Sequence, residues 1–377
     1  GNLYILKNNC LFNLHSFNEK NHFIITDMIE DRNNQIYISS DGGGISIYQN
    51  HSLIEKLDEK KGLKNSNILS LETDWEGNIW IGYFGAGISC LTGRSFAYYQ
   101  ASDGLSGNII FDITQDKNGC YWFANYGVGL TCLKNGKFKT LNQNDGLIST
   151  KISDIDYHKN QLWICSDRGL SVMSSKNKIK NFTAEDGLPH RSCESVTFSK
   201  FGDTAWVATR NGLDYITNNK VHLYDDPNLN NTRILKVLKT KDNDLWIGSV
   251  KKGAFKICNN KISKHLTTQD SLAQNNVFDI FEDSEQNIWF ATDYGISRLD
   301  KNNHITTYRS ENGLSNDITY FILEDHQKNL WIGTNYGLNK LHSDTVFTHY
   351  TVRDGLSSNE MNSGACYIDS NGILWFG

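Results

Sequence analysis

The chain has 377 residues, of which 21% are charged, and its formal net charge is −5. Its lysines and arginines form no basic block or stripe, which argues against nucleic acid or an anionic membrane as the main partner. No apolar run approaches the roughly 18–20 residues that a membrane helix needs, so we expect no span in this sequence.

The first predicted element is half of a repeating unit. Residues 1–14 match residues 129–141, which read as the last two strands of a later unit. The chain does not begin with Met, and it stops at 374–377, inside the second strand of a unit. We therefore expect a piece of a longer protein, with eight complete units and half a unit at each end, nine in all.

One aromatic residue marks each unit. Eight of the nine tryptophans recur every 40 to 44 residues, and Tyr37 stands 43 residues before the first of them. Such a period indicates a repeat architecture. We expect these rings to be structural, buried between neighbouring units, and Trp75, in a turn, to be more exposed than Trp80. The ladder continues with Trp122, Trp163, Trp206, Trp246, Trp289, Trp331 and Trp375.

The unit at residues 312–350 predicts what each repeat folds into. It contains four short runs of alternating apolar and polar residues, each bounded by turn residues, and no window has helical spacing. Four antiparallel strands in about 42 residues are typical of a propeller blade. The fold class is therefore predicted as all-β, a β-propeller of four-stranded antiparallel blades. The predicted strands of this unit are 318–323, 329–333, 338–341 and 346–350.

The number of units bears on domain organisation. Closed propellers usually have about four to eight blades, so nine units favour a boundary inside the chain. Seven blades counted back from the C-terminus begin near Ala101. We predict the last blades of an upstream propeller in residues 1–100 and a second propeller, truncated in its final blade, in residues 101–377. A single larger closed ring is the alternative.

The eight cysteines show no Cys-x-x-Cys motif and no metal-type pairing with histidine. Cys120 and Cys132 lie symmetrically about the turn at Tyr126, so in a hairpin they could face each other across two strands. A disulfide there would require an oxidising compartment. The sequence leaves the disulfide and the reduced pair both open.

The repeated motifs carry a family resemblance. Asp-Gly-Leu opens several units, and residues 74–82 read Asp-Trp-Glu-Gly-Asn-Ile-Trp-Ile-Gly. Over the whole chain these motifs resemble the two-component regulator propeller repeat. That family forms the periplasmic sensor region of bacterial hybrid two-component histidine kinases. There, two seven-bladed propellers precede an immunoglobulin-like domain, a membrane helix, the kinase and a response regulator. The resemblance implies a periplasmic location, with the downstream immunoglobulin-like and transmembrane segments as partners.

The last segment and two irregular units refine this expectation. Residues 354–377 resemble the final blade of the second propeller in such sensors, which supports two upstream blades before the seven. The unit of Trp246 has Asp-Asp-Pro-Asn at 225–228 in place of Asp-Gly-Leu, and the unit of Trp206 has Gly-Asp-Thr-Ala at 202–205. These two units are either specialised for contacts or drifted copies.

Candidate site residues come from two kinds of loop. In a four-stranded blade, the loop leading into the first strand and the turn between the second and third strands lie on one face, around the mouth of the central channel. Flat rings stack on sugars, and amides or arginines bond hydroxyls and carboxylates, so this composition suits an oligosaccharide, and its cations an acidic one. A tyrosine before a turn glycine also fits a structural role. The turns supply Tyr83, Phe84, Tyr126, Arg168, Arg210, Lys251, Lys252, Tyr294 and Tyr336, and the loops Asn108, His190, Arg191, Asn275, Asp317 and Asn359.

From this set we predict seven ligand-binding residues, three tyrosines and four cations. They are Tyr126, Arg168, Arg191, Arg210, Lys251, Tyr294 and Tyr336.

Catalysis finds little support, because no catalytic, phosphate-binding or metal motif is present and no cofactor is implied. Most repeated acids fit turn formers that cap backbone N–H groups. These are Asp31, Asp74, Asp116, Asp283, Asp325 and Asp369.

Three functions are weighed. The first is a periplasmic, non-enzymatic sensor region that detects a glycan-derived oligosaccharide and relays a signal to a histidine kinase. The second is a protein-interaction or homodimerisation scaffold without a small ligand. The third is a carbohydrate-active enzyme, which would need two carboxylates about 5–9.5 Å apart in a pocket. An aromatic, polar channel mouth favours the first function and a broad exposed apolar patch the second.

Overall fold

The structure is a computed structural model. It describes residues 2–7, 10–16, 24–31, 35–49, 52–73, 79–91, 99, 101, 104–199, 203–343 and 346–377, and it leaves the side chains of 2–7, 10–16, 60, 343 and 353 undescribed. The described residues form ten antiparallel sheets, seven of them four-stranded, in which strands pair in chain order. The all-β propeller fold predicted from the sequence is confirmed. None of the helices within these ranges has the length and apolarity needed to cross a membrane.

The chain divides into two compact units. Unit 1 comprises Gly1–Ala97 with Arg353–Gly355, and unit 2 comprises Tyr98–Val352 with Leu356–Gly377. The assignment of residues 1–100 to an upstream propeller stays a prediction.

Unit 1 contains three sheets. Sheet 1 is β1 (Asn2–Lys7) and β2 (Cys10–Ser16); sheet 2 is β3 (Ile24–Glu30), β4 (Gln35–Asp41), β5 (Gly44–Gln49) and β6 (Ser52–Leu57); sheet 3 is β7 (Ile68–Thr73), β8 (Ile79–Tyr83) and β9 (Gly87–Leu91).

Unit 2 contains seven sheets. Sheet 4 is β10 (Ile110–Gln115), β11 (Tyr121–Asn125), β12 (Gly129–Lys134) and β13 (Lys137–Leu141); sheet 5 is β14 (Ile152–His158), β15 (Gln161–Ser166), β16 (Gly169–Ser174) and β17 (Ile179–Phe182); sheet 6 is β18 (Cys193–Phe198), β19 (Thr204–Thr209), β20 (Gly212–Thr217) and β21 (Lys220–Leu223); sheet 7 is β22 (Ile234–Lys239), β23 (Leu245–Ser249), β24 (Ala254–Cys258) and β25 (Lys261–Leu266); sheet 8 is β26 (Val277–Glu282), β27 (Ile288–Thr292), β28 (Gly295–Leu299) and β29 (Ile305–Tyr308); sheet 9 is β30 (Thr319–Glu324), β31 (Leu330–Thr334), β32 (Gly337–Ser343) and β33 (Val346–Tyr350); sheet 10 is β34 (Cys366–Ile368) and β35 (Leu374–Phe376). The four strands of sheet 9 lie within two residues of their predicted bounds.

The loops that lead into the first strands contain short 3₁₀ turns. In the turn before sheet 5, the Asn142 side chain accepts the N–H of Asn144, and the Asp145 carboxylate accepts the N–H of Asn142. Gly146 then takes a φ of 105°, which a side-chain-bearing residue rarely adopts, so the Asp-Gly pair is fixed by capping and backbone geometry. Among the described residues, 3₁₀ turns include Glu59–Lys61, Gln143–Asp145, Ala184–Asp186, Thr268–Asp270, Ser310–Asn312 and Val352–Asp354.

Every first strand of sheets 2 to 9 contains a β-bulge near its start. In β10 the register shifts between Ile110 and Asp112, so Phe111 is an extra residue outside the regular ladder. The same shift recurs in each of the other first strands. A bulge locally interrupts the ladder, bends the strand and re-aims a side chain. The bulged residues of sheets 4 to 9 are Phe111, Ser153, Glu194, Leu235, Phe278 and Tyr320.

In unit 2, the first strands follow one another in a closed series. Each contacts the first strand of the next sheet, and β34 contacts both β30 and β10. Carboxylates after the bulges tie neighbouring sheets together, since Asp112 Oδ2 accepts the N–H of Ile155 at 2.7 Å and Asp154 Oδ2 accepts that of Val196 at 2.9 Å. The Tyr121 hydroxyl donates to Asp369 of sheet 10 at 2.5 Å.

The aromatic ladder is buried at most of its positions. Trp289 is 2% exposed because it packs against Ile322 and Ile332 of the following sheet. Its indole N–H donates to the turn carboxylate Asp283 at 2.8 Å. The turn acids thus cap backbone N–H groups, as predicted, and also bind the ladder indoles. The other ladder residues with low exposure are Tyr37, Trp122, Trp206, Trp246 and Trp331; Trp163 and Trp375 are half-buried.

The burial expectation is wrong for Trp80, which is 42% exposed. Trp80 stands on sheet 3, and among the described residues of unit 1 no later sheet covers its ring as sheet 9 covers Trp289 in unit 2. Trp75 and Asp74 lie outside the described residues.

Cys120 and Cys132 form a disulfide across the β11–β12 hairpin, with their Cα atoms 6.0 Å apart. The sequence had left this pairing open. Cys165 and Cys193 are buried free thiols, and burial raises the pKa of each, which keeps both uncharged.

Candidate functional site

The two kinds of loop named from the sequence do lie side by side in unit 2. The N–H of Tyr126, in a second-to-third turn, donates to the carbonyl of Ile109 in the loop leading into the same sheet. Gly127 donates onward to Thr150 in the loop leading into the next sheet. Corresponding bonds join Arg210 to Ser192, Val250 to Arg233, Asn335 to Ile318 and Gly337 to Asn359. We call the face formed by these loops and turns of unit 2 the mouth face.

Exposed aromatic rings occupy one part of the mouth face. Tyr126 is 45% exposed and packs edge-on against Phe111, with ring centroids 5.0 Å apart. Phe278 stacks on Tyr320 at 6.1 Å. Tyr294 is 50% exposed beneath the guanidinium of Arg309, which lies 4.7 Å from the ring centroid. These rings belong to sheets 4, 8 and 9.

Tyr336, the remaining predicted tyrosine, is 55% exposed. Its N–H bonds Thr334 Oγ1, so its backbone also serves the turn.

Cations occupy the complementary part, on sheets 5 to 7. Arg210 Nε donates to Glu194 Oε1 at 2.6 Å, and Arg233 Nη2 donates to Glu194 Oε2 at 3.2 Å. Glu194 is the bulged residue of β18, and its side chain is only 11% exposed. Lys251 is exposed in its turn, where its N–H donates to Asn276 Oδ1 at 2.8 Å. Arg168 and Arg191 are also exposed.

The structure therefore brings the predicted residues to one face, but among the described residues no hydrogen bond or ion pair joins Arg168, Arg191 and Arg210 to one another. Whether they share a ligand stays a prediction. Sequence reasoning missed Glu194, Arg233, Phe111, Phe278 and Tyr320. All but Arg233 are bulged residues, and no pattern in the sequence predicts where a bulge lies.

A buried charge centre lies further along the same first strands. The ammonium group of Lys236 is 3.7 Å from Asp154 and 3.6 Å from Asp279. Burial and the charge of Asp154 raise the pKa of Asp112 well above its usual range. Burial alone would lower the pKa of Lys236, but Asp279, Asp154 and Asp112 raise it, so the lysine stays charged. These carboxylates already hold backbone N–H groups, so they serve as ties between sheets.

Burial, with the charge of Asp154, also raises the pKa of Asp156, on the same strand, to about 7. In the part of the chain that the structure describes, no cluster of three or more His, Cys, Asp or Glu could hold a metal ion.

Asp214 is a further buried carboxyl, and it lacks the hydrogen bonds that the others make. It is 0% exposed, and neither oxygen has a hydrogen-bond partner among the described residues. The corresponding third-strand residues Ser171 and Ser297 accept the N–H of Ile148 and Ala273, which follow the Leu of the turn before the first strand. In sheet 6 that place is taken by Pro189, which has no N–H. Burial accordingly raises the pKa of Asp214 to about 8.

Two clefts open on the face opposite the mouth, where the first-to-second and third-to-fourth turns lie. One, of about 290 Å³, is lined by Trp246, Lys256 and Asp300 among others, and the other, of about 430 Å³, by Trp206 and Asn260. Their polar groups are largely engaged with each other, as in the 2.6 Å ion pair between Lys256 and Asp244. The mouth face, with its exposed rings and cations, is the better candidate site.

Comparison with known proteins supports the repeat assignment. Residues 104–127, 271–294 and 312–336 match the family described as two component regulator propeller. The resemblance inferred from the motifs is thus confirmed, and the chain carries repeats of this family. No curated protein matches the chain.

Several solved structures share the fold. The extracellular domain of a putative hybrid two component system from B. thetaiotaomicron is 22% identical, with a TM-score of 0.68 over 100% of this chain and 52% of that one. The extracellular domain of a putative one component system from the same organism is 16% identical, with a TM-score of 0.60 over 98% of this chain and 52% of that one. The present chain thus spans about half the length of these two structures.

A third neighbour is an enzyme. A catalytically inactive virginiamycin B lyase from Staphylococcus aureus, with quinupristin, is 18% identical, with a TM-score of 0.58 over 71% of this chain and 91% of that one. At these identities the likeness shows a shared fold, and a propeller fold by itself does not determine function.

Proposed function

We propose that this chain is the ligand-sensing propeller region of a membrane-bound signal-transduction protein. It lies in the periplasm, binds a glycan-derived oligosaccharide at the mouth face and relays the signal to a histidine kinase through downstream segments of the same protein. The region itself is not an enzyme.

The observation that carries this proposal is the composition of the mouth face. Consecutive sheets present exposed rings, such as Tyr126 and Tyr294, and exposed cations, such as Arg191 and Arg210, on one surface. Rings stack on the C–H faces of sugars, while guanidinium groups bond hydroxyls and carboxylates. An oligosaccharide offers both kinds of group along its length.

The fold neighbours, the disulfide and the buried carboxylates support the same proposal. Two of the fold neighbours are extracellular domains of putative hybrid and one component systems. The Cys120–Cys132 disulfide fits an oxidising compartment outside the cytoplasm. The carboxylates of Asp112 and Asp154 accept backbone N–H groups of the next sheet, which favours a structural role over a catalytic one for these two acids.

Calorimetric titration of the purified chain against neutral and acidic oligosaccharides tests the proposal. Arg191→Ala and Arg210→Ala should weaken binding, while stability changes by no more than about 0.5 kcal/mol for the exposed Arg191. Lys301→Ala, which removes a charge from the opposite face, is the matched control and should bind as the parent does. If the parent binds no member of a broad panel, the sensor proposal for this face is wrong.

A protein-interaction scaffold is the second candidate, and the surface of unit 1 favours it. Phe84 is 68% exposed, Ile88 67% and Leu69 53%, and all three lie on sheet 3 or in its β8–β9 turn, so this sheet presents several apolar side chains to solvent. Light scattering of the purified chain decides between monomer and dimer. A dimer that Phe84→Ser dissociates, in a chain that binds no oligosaccharide, would favour the scaffold.

A further inference from the structure

The ion cluster at Glu194 joins groups from two sheets at the mouth face. Glu194 is the bulged residue of β18, Arg210 lies in the turn between β19 and β20, and Arg233 lies in the loop leading into sheet 7. One carboxylate thus receives two guanidinium groups, at 2.6 Å and 3.2 Å. The bulge places an acid where the other first strands of unit 2 carry aromatic, aliphatic or hydroxyl residues.

Burial separates the roles of the three residues. The Glu194 side chain is 11% exposed, whereas those of Arg210 and Arg233 are 49% and 43% exposed. Glu194 is therefore the fixed member, and it restricts the rotamers of two long side chains that would otherwise be free. The cost of ordering these side chains is met in folding, so a ligand does not have to supply it.

Charge and hydrogen-bond capacity remain on the arginines. Two guanidinium groups against one carboxylate leave a net positive charge at this point. Arg210 uses its Nε and Arg233 one Nη in the bonds to Glu194. A guanidinium group carries five N–H donors, so each arginine retains donors that match the two oxygens of a carboxylate or sulfate.

The rings on the other sheets complete the arrangement. Tyr126 with Phe111, and Phe278 with Tyr320, lie on the mouth face of sheets 4, 8 and 9, whereas the arginines lie on sheets 6 and 7. The Glu194 cluster and these ring pairs therefore occupy different parts of the mouth face, while Arg309 lies over Tyr294 among the rings. A ligand with an anionic group and with sugar rings that stack through their C–H faces fits both parts.

We propose that Arg210 and Arg233, positioned by Glu194, bind the carboxylate or sulfate of an acidic sugar unit, which orients the oligosaccharide across the mouth face. This proposal rests on the sensor function proposed above, and it adds the anionic class of the ligand and the residues that select it. Glu194 is a positioning residue and does not itself bind the ligand.

Titration calorimetry with three disaccharides of matched linkage tests the proposal. One carries a uronate, one a sulfate and one neither group. The parent chain should bind at least one acidic disaccharide about 10-fold or more tighter than the neutral one, because hydrogen bonds to charged groups are the strong ones. The two acidic arms distinguish a uronic acid from a sulfated sugar.

Variants of the two arginines test whether these residues bind the anionic group. Arg233→Ala and Arg210→Ala should each weaken binding of the acidic disaccharide about 10- to 100-fold and leave the neutral one nearly unchanged. Lys301→Ala is the charge-matched control and should bind both as the parent does. If the arginine variants bind the acidic disaccharide as tightly as the parent, the anion site is refuted, while the sensor function stands.

Glu194→Gln separates positioning from bulk charge. The substitution adds one net positive charge to the mouth, so tighter binding of the acidic disaccharide would show that only total charge matters, and would overturn the role of Glu194. We expect weaker binding, together with a steeper dependence on salt, because mobile surface charges are screened more effectively. A parent chain that binds none of the three disaccharides would overturn the sensor function at this face, and this proposal with it.

Discussion

Replacing Asp214 should make the protein more stable, and the gain should depend on pH. Asp214 is fully buried, both of its oxygens lack partners among the described residues, and its pKa is raised from 3.8 to about 8. A group whose pKa is raised in the folded state binds more protons there than in the unfolded chain. Its penalty therefore grows as pH rises from the unfolded pKa to the folded one, and is constant above that.

Two estimates bound how much the ionised Asp214 carboxylate destabilises the fold. Raising the pKa from 3.8 to about 8 corresponds to a penalty of about 6 kcal/mol above pH 8 if the surroundings do not relax. Mutational data on unsatisfied buried polar groups give a smaller cost of about 1–3 kcal/mol. We expect the free energy of unfolding of Asp214→Ser to exceed that of the parent by about 1–3 kcal/mol at pH 8.5, and by less at pH 5, where the carboxyl is partly protonated in the folded chain. Serine is chosen because Ser171 and Ser297 occupy the corresponding positions.

Urea unfolding of the parent and the variant at both pH values measures this effect. Asp112, Asp154, Asp156 and Asp279 also have raised pKa values, but their contribution cancels in the difference between the two chains. A stability difference that stays the same at pH 5 and pH 8.5 would refute the reasoning, since it would mean that the Asp214 carboxyl titrates normally.

A double-mutant cycle locates the cause of the missing bond. Pro189→Ala restores the N–H that its counterparts donate, so it should stabilise the Asp214 chain more than it stabilises an Asp214→Ala chain. The coupling energy removes the separate effect of proline on the unfolded state. No coupling would show that the carboxyl and residue 189 do not meet.

Three further predictions follow from packing, charge and covalent links. Trp289→Ala should lower the free energy of unfolding, measured in denaturant melts, by about 3–5 kcal/mol. Trp80→Ala should lower it by less than half of that, because Trp80 is 42% exposed. A loss below about 1 kcal/mol at Trp289 would contradict its packing between blades. Lys236→Met leaves Asp112, Asp154 and Asp279 without their cation, so it should lower the free energy of unfolding by about 3–5 kcal/mol at neutral pH. The loss should be smaller in acid, because protonation of the carboxylates removes their mutual repulsion. Unfolding measured from pH 4 to pH 8 checks this trend, with Lys301→Met as the control. Reduction of the Cys120–Cys132 disulfide, which closes a separation of 12 residues, should lower the free energy of unfolding by about 2–3 kcal/mol, and a chain with serine at both positions should not respond to reductant.

Local features of the sequence predicted most of the fold. The apolar alternation and turn residues of the unit at 312–350 placed its strands within two residues, because both signals act within a few positions of the chain. The exposure of Trp80 was not predicted, because burial of a ladder ring depends on the sheet that follows it. That dependence involves contacts about 40 residues away, which a local pattern does not contain.

The candidate site was predicted only in part, for a related reason. Tyr126, Arg210 and Tyr336 were recognised since they precede or occupy turns of known geometry, and they lie on the mouth face. Glu194 and Phe278 were missed because simple alternation assigns them to an ordinary strand face, and only the bulge reveals that they leave the ladder. The lack of a hydrogen-bond partner for the Asp214 carboxyl was not predicted, because it depends on which loop packs over the third strand and not on the residues beside Asp214 in the chain.

The repeated bulge makes the lining of the mouth independent of the packing beneath it. A bulged residue such as Phe111 or Glu194 stands outside the hydrogen-bonded register, so exchanging it leaves the ladder and the core contacts of its strand unchanged. Five of the six bulged residues of unit 2 offer such an exchangeable position, whereas the hydroxyl of Ser153 donates to the carbonyl of Cys193 on the next first strand at 2.8 Å. A library confined to 111, 194, 235, 278 and 320 would therefore sample new binding surfaces with little loss of folding.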